Sequence, residues 1–328
     1  MIVTLTANPS LDRTVELAEA LEPGAVQRAT STRQDPGGKG VNVTRALRAS
    51  GIESIAVLPA PAGDPLLAAL DAEGVLHRAV PIDGAVRTNL TIVDAAGVTT
   101  KVNEPGPDLD EAAQARVIAE TAEASVGADW LVLAGSLPPG APDDFYVRVV
   151  EAARLAAERA GVAAPRVAAD TSGPALAALL EPGVRIDLIK PNAEELAELT
   201  GSSDEAALEA GPDEAIALAR SIPADRVRAS LVTLGAMGAA LVDGDHAWFA
   251  RAPRVVPRST VGAGDCSLAG FLVASVEGAS PADALARAVA SGAAAVALPG
   301  SAVPTRDQVD PARVAVIEVA GLPVGDRQ

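Results

Sequence analysis

Short apolar segments that resemble buried strands alternate with longer segments, rich in Ala and Leu, at helical spacing. The predicted strands are Ile2–Thr6, Ile55–Leu58, Trp130–Ala134, Val167–Asp170, Ile186–Ile189 and Ser230–Leu234. The predicted helices are Val41–Ser50, Pro65–Glu73, Asp110–Ala124, Asp143–Ala160, Glu194–Thr200 and Ala215–Ser221. The alternation predicts an α/β fold in which helices cover both faces of a mostly parallel sheet. Ligands of such sheets bind beyond the carboxyl ends of the strands.

Two polar stretches, residues 12–33 and 86–103, interrupt this rhythm with Thr and Val at alternating positions. The second stretch contains a hairpin turn signal at Asp94–Gly97. We expect these stretches to form extra strands outside the main sheet. They make either a plain surface hairpin or a small β lid that closes over a substrate and excludes water.

Residues 235–256 predict short antiparallel strands joined by turns that contain Gly. The last of these predicted strands is Arg254–Val256. Two Ala-rich helices are predicted after it, Cys266–Glu277 and Ala282–Ala297. No low-complexity linker and no internal repeat divides the sequence. We therefore expect one domain over residues 1–328 that carries the small lid.

The composition excludes several classes of function. The chain has 328 residues and a net charge of −17, and aromatic residues make up only 2% of it. Nucleic acid and anionic membrane surfaces are therefore unsuitable partners. The single cysteine, Cys266, excludes an internal disulfide, and with only two histidines the chain lacks the usual ligands of a zinc site.

The sequence shows no recognisable targeting signal or membrane span. No basic stretch precedes an apolar run at the amino terminus. No apolar run reaches the roughly 18 residues that a membrane span needs. We expect a soluble cytoplasmic protein.

The segment Ser259–Phe271 is the most informative one for chemistry. Gly262 and Gly264 allow a tight turn and a close approach to a ligand, and a predicted helix begins directly after them. The free N–H groups of that helix favour an anion such as a phosphate. Asp265 stands at the same point and is suited to take the proton of an acceptor hydroxyl. A plain helix N-cap is an equally good interpretation of Asp265 taken alone.

The segment Pro36–Val43 also precedes a helix and is rich in glycine, including Gly38. Lys39 supplies a mobile cation, and Asn42 supplies both a donor and an acceptor for hydroxyl groups. This combination suits a phosphorylated polyol. The structural alternative is a glycine-rich turn with an exposed lysine.

Polar residues near the predicted lid complete a possible sugar site. Asp12 follows the first strand, where a carboxylate can accept two hydroxyl hydrogens, although an aspartate in a turn is common. Arg87 and Asn89 share one face of a lid strand. If they face inward they bind a phosphate and a hydroxyl, and if outward they are ordinary surface residues. Ser136, after another buried strand, is a further candidate for a ligand phosphate.

The segment that begins at Lys190 has two interpretations. Asn192 as N-cap and Glu195 three residues later resemble a capping box. Alternatively, Glu195 holds Mg²⁺ through water while Lys190 or Asn192 lies near nucleotide phosphates. The segment Thr233–Gly238 is either a tight turn or backbone that lines a nucleotide pocket.

These segments, in this order, resemble the PfkB (ribokinase-like) family of carbohydrate kinases. The similar segments are NPSLD at 8–12, GGKGVNV at 37–43, GSLPPG at 135–140, DTSG at 170–173, KPNAEEL at 190–196, TLGAMGA at 233–239 and STVGAGD at 259–265. The resemblance covers nearly the whole chain. It implies a three-layer αβα ribokinase-like sandwich with a β-sheet lid, Mg²⁺ and ATP as the donor, and a sugar phosphate as the acceptor. Lids in several relatives pair, which implies a possible homodimer through the lid.

The resemblance also implies a role for each matching residue. Asp265 matches the catalytic base of the family, and Gly262, Ala263 and Gly264 match the backbone anion hole of the family. Substrate-binding positions match Asp12, Gly38, Lys39, Asn42, Arg87, Asn89 and Ser136. Nucleotide-binding positions match Lys190, Asn192, Thr233, Gly235, Gly238, Gly264 and Ser291, and Glu195 matches the glutamate linked to Mg²⁺ through water. Cys266 stands where serine is frequent, and Ser291 stands where many relatives place an adenine-pocket residue of another type.

Within the family the sequence is most similar to bacterial enzymes that phosphorylate fructose 1-phosphate, and it shares Lys39 in GGKG with them. The expected reaction is transfer of the ATP γ-phosphate to the 6-hydroxyl of fructose 1-phosphate, which gives fructose 1,6-bisphosphate. The alternatives are a tagatose-6-phosphate kinase, a minor-type 6-phosphofructokinase, a nucleoside kinase, and an inactive sugar-phosphate sensor. A nicotinamide oxidoreductase is set aside because the chain has no GxGxxG after a strand.

Overall fold

The computed structural model of the chain describes residues 1–202 and 211–319. The predicted domain of residues 1–328 therefore includes two stretches that lie outside the described residues. Among the residues described, no helix has the length and apolar character needed to cross a bilayer.

A ten-stranded sheet forms the centre of the fold, with the spatial order β14-β13-β12-β11-β10-β9-β8-β1-β4-β5. Its strands are β1 (Ile2–Thr6), β4 (Ser54–Pro59), β5 (His77–Val80), β8 (Trp130–Ala134), β9 (Arg166–Asp170), β10 (Ile186–Ile189), β11 (Val227–Thr233), β12 (Gly238–Asp243), β13 (His246–Arg251) and β14 (Val316–Glu318). The strands from β5 to β11 pair in parallel, and β11 to β14 pair antiparallel. The mostly parallel sheet predicted from the sequence is confirmed.

Helices cover both faces of this sheet. They are α1 (Lys39–Ala49), α2 (Pro65–Ala72), α3 (Glu111–Ala124), α4 (Phe145–Ala160), α5 (Gly173–Leu179), α6 (Ala193–Thr200), α7 (Pro212–Ser221), α8 (Ala263–Val276) and α9 (Pro281–Val296). The alternation of side chains along a strand explains the layering. Trp130 and Val132 on β8 pack with α1, α8 and α9, whereas Leu131 and Leu133 pack with α3, α4 and α5. The predicted three-layer αβα sandwich is therefore confirmed.

A second sheet of four strands lies outside this sandwich, in the order β3-β2-β6-β7. Its strands are β2 (Ser10–Leu17), β3 (Ala29–Gly37), β6 (Arg87–Val93) and β7 (Thr99–Asn103). The pairs β2–β3 and β6–β7 are antiparallel, and β2–β6 is parallel. The predicted turn after β6 is present, because the N–H of Asp94 donates to the carbonyl of Val98 at 3.0 Å. The sheet extends beyond the predicted ranges at β2 and β3, which begin and end close to the main sheet.

The differences from the predicted elements have local causes. The segment Arg254–Val256 is not a strand, because after β13 the chain leaves the sheet as an irregular connection that reaches α8. The sequence did not indicate β5, β14 or α5, which are all short. β5 begins with His77 and Arg78, so it lacks the continuous apolar run of a buried strand.

Candidate active site

A cavity of about 520 Å³ lies between the polar face of the second sheet and the loops at the carboxyl edge of the main sheet. Asp12 and Arg33 line it from the second sheet, and Thr260 and Ser301 line it from the loops beside α8 and α9. The strands β1, β8, β9, β10 and β11 are parallel, so their carboxyl ends share one edge of the main sheet, and the polar residues at those ends converge there.

Asp265 lies in the first turn of α8 and is buried. Its Oδ2 accepts a hydrogen bond of 2.8 Å from Nδ2 of Asn42, which lies in the first turn of α1. Burial, and then the negative charge of Asp170, raise the pKa of Asp265 to about 6. A carboxylate in this state is ionised near neutral pH and still basic enough to receive a proton.

The amino terminus of α8 begins at Gly262, which adopts a left-handed conformation with φ of 75°. Only glycine takes up this conformation without a steric penalty, so the sharp turn into the helix depends on Gly262. The first N–H groups of a helix have no carbonyl partner four residues earlier, and they are directed out of its end. The turn formed by Gly262, Ala263 and Gly264 therefore lies beside Asp265 at a helix amino terminus, a place suited to an anion, and the N–H of Ala263 donates to the carbonyl of Thr260 at 3.4 Å.

Four charged side chains form a compact cluster next to Asp265. Nζ of Lys39 lies 2.8 Å from Oδ1 of Asp170 and 3.5 Å from Oε1 of Glu195. Nζ of Lys190 lies 3.0 Å from Oδ2 of the same Asp170. Asp170 thus bridges the two lysines at the carboxyl end of β9, with none of its side chain exposed.

The mutual attraction in this cluster keeps Asp170 and Lys39 charged. Burial opposes the ionisation of Asp170, but Lys190 and Lys39 hold its pKa below the usual value. Burial likewise opposes the charge of Lys39, but Asp170 and Glu195 raise its pKa above the usual value. The cluster therefore provides fixed positive and negative charge beside the anion site.

The capping box predicted for α6 is present. Oδ1 of Asn192 accepts from the N–H of Glu195 at 2.7 Å, and Oε2 of Glu195 accepts from the N–H of Asn192 at 2.9 Å. One carboxylate oxygen of Glu195 thus serves the helix, and the other is directed toward Lys39. Within residues 1–202 and 211–319, no cluster of three or more His, Cys, Asp or Glu could hold a metal ion.

Asp12 and Asn89 lie opposite each other on β2 and β6. Oδ1 of Asp12 accepts from Oγ of Ser10 at 2.8 Å and from Nδ2 of Asn89 at 3.0 Å. Arg87 on the same face of β6 donates to the carbonyl of Asn8 at 3.1 Å. Burial lowers the pKa of Arg87, and the nearby Asp12 opposes that change. Both predicted residues of β6 therefore face the main sheet.

Gly38 and Ser136 lie on the two loops that flank Lys39. Gly38 is the N-cap of α1 with φ of 104°, and a Cβ there would lie 2.6 Å from Cγ2 of Thr6. Ser136 is exposed, directly after β8. The preceding Gly135 also has a positive φ, of 95°, and a Cβ on it would lie 4.0 Å from Cβ of Lys39.

The residues after β11 have distinct local roles. Thr233 pairs with Asn192 in an isolated bridge, so the segments after β10 and β11 lie side by side. Gly235 has φ of 54° and no atom within 4 Å of a Cβ, so its surface is open. Gly238 has φ of 126°, and a Cβ there would overlap the carbonyl oxygen of Ala250 on β13. Packing between strands alone therefore requires glycine at 238.

Ser291 lies in the interface between α8 and α9. A Cβ on Gly270 of α8 would overlap Oγ of Ser291, and a Cβ on Gly292 of α9 would overlap Oγ of Ser267. The side chain of Ser291 is therefore directed at the neighbouring helix, and its assignment to the adenine pocket stays a prediction.

Two charged residues of this region had no role in the sequence interpretation. Asp170 is the last residue of the buried strand β9, and its place at the carboxyl end of a strand is the signal by which it could have been found. Arg45 is buried in α1, and its Nη1 lies 3.4 Å from Oδ1 of Asn42. An arginine within an amphipathic helix is normally exposed, so the sequence carries no comparable signal for it.

The fold and these residues define an α/β protein that holds a buried carboxylate in the first turn of a helix, a place suited to an anion. The chain matches the family model described as "pfkB family carbohydrate kinase" over residues 6–308. It therefore belongs to the pfkB family of carbohydrate kinases, which are phosphotransferases that use an alcohol acceptor. The resemblance found in the motifs is confirmed.

Individual relatives match over most of their length. The chain is 36% identical to a 1-phosphofructokinase of Xanthomonas campestris over 292 residues, which is 87% of each protein. It is 35% identical to a 1-phosphofructokinase of Haloferax volcanii over 311 residues, 94% of this chain and 95% of the relative. It is also 32% identical to ATP-dependent 6-phosphofructokinase isozyme 2 of Escherichia coli, over 93% of this chain and 96% of the relative.

Solved structures give the same result for the fold. A crystal structure of phosphofructokinase-2 from Escherichia coli in complex with fructose-6-phosphate matches with a TM-score of 0.83 at 30% identity, covering 94% of this chain and 96% of that chain. Ribokinase from Arabidopsis thaliana, complexed with ribose and ATP, matches with a TM-score of 0.66 at 22% identity, covering 94% of this chain and 96% of that chain. The second likeness supports the ribokinase-like fold alone.

Proposed function

We propose that this protein transfers the γ-phosphoryl group of ATP to the 6-hydroxyl of fructose 1-phosphate, giving fructose 1,6-bisphosphate. The observation that carries the proposal is the buried Asp265, held by Asn42 at the amino terminus of α8. As the phosphoryl group arrives, Asp265 accepts the proton of the sugar hydroxyl. The amides of Gly262, Ala263 and Gly264 bind the developing negative charge, because phosphoryl transfer depends mainly on positioning and charge neutralisation.

Asp12 is proposed to orient the sugar. Its carboxylate is held by Ser10 and Asn89, and it lines the cavity under the second sheet. A carboxylate fixed in this way accepts hydroxyl hydrogens without losing much side-chain freedom on binding. Gly38 and Asn42 complete this surface. Arg87 and Ser136 are proposed to bind the phosphate that the substrate already carries.

Similarity to relatives, and not the charge of the site, favours fructose 1-phosphate as the acceptor. Relatives named 1-phosphofructokinase match at 35–36% identity, and those named 6-phosphofructokinase isozyme 2 at 32–33%. Lys39 in GGKG resembles the first group. The two fructose monophosphates carry the same phosphate at opposite ends, so one set of cations serves either. The acceptor must therefore be identified by comparing kcat/KM for each candidate sugar phosphate.

The nucleotide is proposed to lie across the ends of β10 and β11. Lys190, Asn192, Thr233 and Gly235 line those ends, with Gly264 of the anion hole between them and the acceptor. Oε1 of Glu195 is the only oxygen of that carboxylate outside the capping box, and its contact with Lys39 is long, at 3.5 Å. A single carboxylate of this kind suits Mg²⁺, which keeps several waters and is bound mainly by phosphate oxygens. When bound, Mg²⁺ neutralises charge on those phosphates.

The second sheet is proposed to act as the lid of this site. Its polar face lines the cavity, and the guanidinium of Arg33 lies where a Cβ on Gly300 would be, so the sheet already touches the loop after α9. A lid in this position excludes water from the transferring phosphoryl group, which would otherwise be lost to hydrolysis.

The opposite face of the same sheet is proposed to pair two protomers. It carries Val15, Leu17, Leu90, Ile92 and Val102, and the side chain of Val102 is 55% exposed. Leu90 lies opposite Val102, and Val15 lies opposite Ile92, so the apolar side chains are contiguous. Val15, Leu17, Leu90 and Ile92 are half-buried, so each still has apolar surface open to solvent, and a contiguous apolar patch of this kind is typical of an interface. One solved relative is described as a tetrameric inhibited form of Escherichia coli phosphofructokinase-2.

A comparison of four separate acceptors tests the proposed reaction. The protein is supplied with Mg²⁺, ATP and one acceptor at a time: fructose 1-phosphate, fructose 6-phosphate, tagatose 6-phosphate or adenosine. Consumption of the acceptor is followed by ³¹P NMR or chromatography, with Asp265→Asn as the inactive control. We expect the highest kcat/KM for fructose 1-phosphate. A higher value for another acceptor would correct the substrate, and binding without turnover of any of them would favour a sugar-phosphate sensor.

A further inference from the structure

Arg45 is a buried cation in the interior of α1, one helical turn after Asn42. Only 7% of its side chain is exposed. A buried guanidinium is costly unless it is paired and hydrogen-bonded, so its partners indicate what it does.

Those partners hold Arg45 in one orientation. Nε and Nη2 donate to the two carboxylate oxygens of Glu73, at 2.7 and 2.9 Å. This paired geometry leaves Nη1 directed toward the start of α1. There it lies 3.4 Å from Oδ1 of Asn42 and 3.1 Å from the carbonyl oxygen of Ser301.

The contact with Asn42 determines which end of its amide faces the Asp265 carboxylate. The two ends of an asparagine amide have almost the same shape, so only their partners decide the orientation. With Oδ1 on the guanidinium, Nδ2 is directed to Oδ2 of Asp265 at 2.8 Å. A flipped amide would place its oxygen against the carboxylate and its NH₂ group against the cation.

We propose that Arg45 is a positioning residue for the reaction, because it locks the Asn42 amide so that this amide always donates to the Asp265 carboxylate. Glu73 acts one step further away, since it fixes the guanidinium. This inference rests on the proposed function of Asp265 as the base. The other charged groups that act on Asp265 are Asp170, Lys190 and Lys39, and none of them touches the Asn42 amide.

The test is Arg45→Met, which keeps much of the buried volume and removes the donor. The titration of Asp265 is followed by ¹³C NMR of aspartate-labelled protein, assigned by comparison with Asp265→Asn, with no substrate present. Without a locked donor the ionised carboxylate is less favoured. We therefore expect its midpoint to move upward by about half a unit to one unit. In the kinase assay we expect kcat to fall by about ten- to a hundred-fold, with a smaller change in the KM of the sugar phosphate.

Two further variants make the result decisive. Arg48→Met removes an exposed arginine from the same helix and is expected to leave both readouts at their wild-type values. Arg45→Lys keeps the positive charge beside Glu73 but loses the paired geometry, and it should show the same upward movement if Arg45→Met does not fold. An Asp265 titration unchanged in the folded variants would overturn the proposal. A shifted titration in a protein that phosphorylates no sugar would instead overturn the proposed function.

Discussion

Nζ of Lys39 lies 2.8 Å from Oδ1 of Asp170, a residue 131 positions later in the chain whose side chain has no exposed surface. Lys39 thus has a structural partner in addition to any ligand. For Lys39→Met we expect a raised KM for the sugar phosphate and a loss of stability of about 1–3 kcal/mol. The loss is limited because Lys190 still pairs with Asp170.

Thermal unfolding and steady-state kinetics with each substrate varied check this expectation. Arg159→Met is the control, since Arg159 is exposed in the last turn of α4, away from the cavity, and has no ion pair among the described residues. An unchanged KM for the acceptor with a raised KM for ATP would assign Lys39 to the nucleotide side.

Substitution of Asp265, the proposed base, should lower turnover and leave substrate binding intact. For Asp265→Asn we expect kcat to fall by about 10²–10⁴-fold, the usual contribution of a general base, with the dissociation constant of the sugar phosphate nearly unchanged. Asn keeps the size of the side chain but cannot accept the proton. Single-turnover kinetics and calorimetric binding would measure the two quantities. Turnover close to that of the wild type would remove Asp265 from the mechanism.

The raised pKa of Asp265 predicts a particular pH dependence. Since the base must be ionised, kcat/KM should rise with pH through about 6 and then level off. Above about pH 4 the same shift lowers the free energy of unfolding, because ionising Asp265 costs more in the folded protein than in the unfolded chain. The contribution of Asp265 to stability should therefore fall as pH rises from about 4, the unfolded pKa of Asp, and level off above the folded pKa of about 6.

Differential scanning calorimetry of wild type and Asp265→Asn across this range provides the check. The gain in melting temperature from the substitution should be larger at pH 7.5 than at pH 4, because only the wild type carries the buried charge at the higher pH. A gain independent of pH would show that Asp265 titrates as an ordinary surface carboxyl group.

Gly238 offers a test of a residue with two possible roles. A Cβ at 238 would overlap the carbonyl of Ala250, whereas Gly244 in the next turn also has a positive φ, of 59°, but nothing within 4 Å. Gly244→Ala carries the strain of a left-handed residue, about 1 kcal/mol, whereas Gly238 has φ of 126° and ψ of −133°, a region almost confined to glycine, so Gly238→Ala carries more strain and adds the overlap. We therefore expect a clearly lower melting temperature for Gly238→Ala than for Gly244→Ala. Equal melting temperatures with a raised KM for ATP only in Gly238→Ala would favour a nucleotide role.

The apolar face of the second sheet predicts a dependence of assembly on Ile92. Ile92→Lys places a charge in the middle of that face, so we expect a dimer to dissociate. Multi-angle light scattering measures the mass directly. Val162→Lys, at an exposed position after α4, is the control and should keep the wild-type mass. A dimer that survives Ile92→Lys would place the interface elsewhere.

The sequence predicts the parts of the fold whose patterns are local. β8 is a continuous apolar run and α8 follows a glycine turn, so both are recognisable, and Asp265 is found with them. Asp170 and Arg45 are different, because Asp170 pairs with Lys39, 131 positions earlier, and Arg45 is held by Glu73 and the carbonyl of Ser301, which are also distant along the chain. β5 and β14 are short strands stabilised by pairing with neighbours, which no window of sequence records. Glu195 shows a mixed case, in which one side chain caps a helix and also faces Lys39.

The close contact between α8 and α9 has a consequence for how acceptor choice can change. Gly270 and Gly292 receive Ser291 and Ser267 from the opposite helix, so the two helices interlock and cannot slide independently. The Asp265 carboxylate in the first turn of α8 is therefore anchored to the main sandwich, while Asp12 and Asn89, two of the residues proposed to meet the sugar, lie on β2 and β6 of the second sheet. Substitutions in β2 and β6 can therefore change which hexose binds without moving Asp265, the proposed proton acceptor. The same catalytic residues could then act on different sugars in different descendants of this protein.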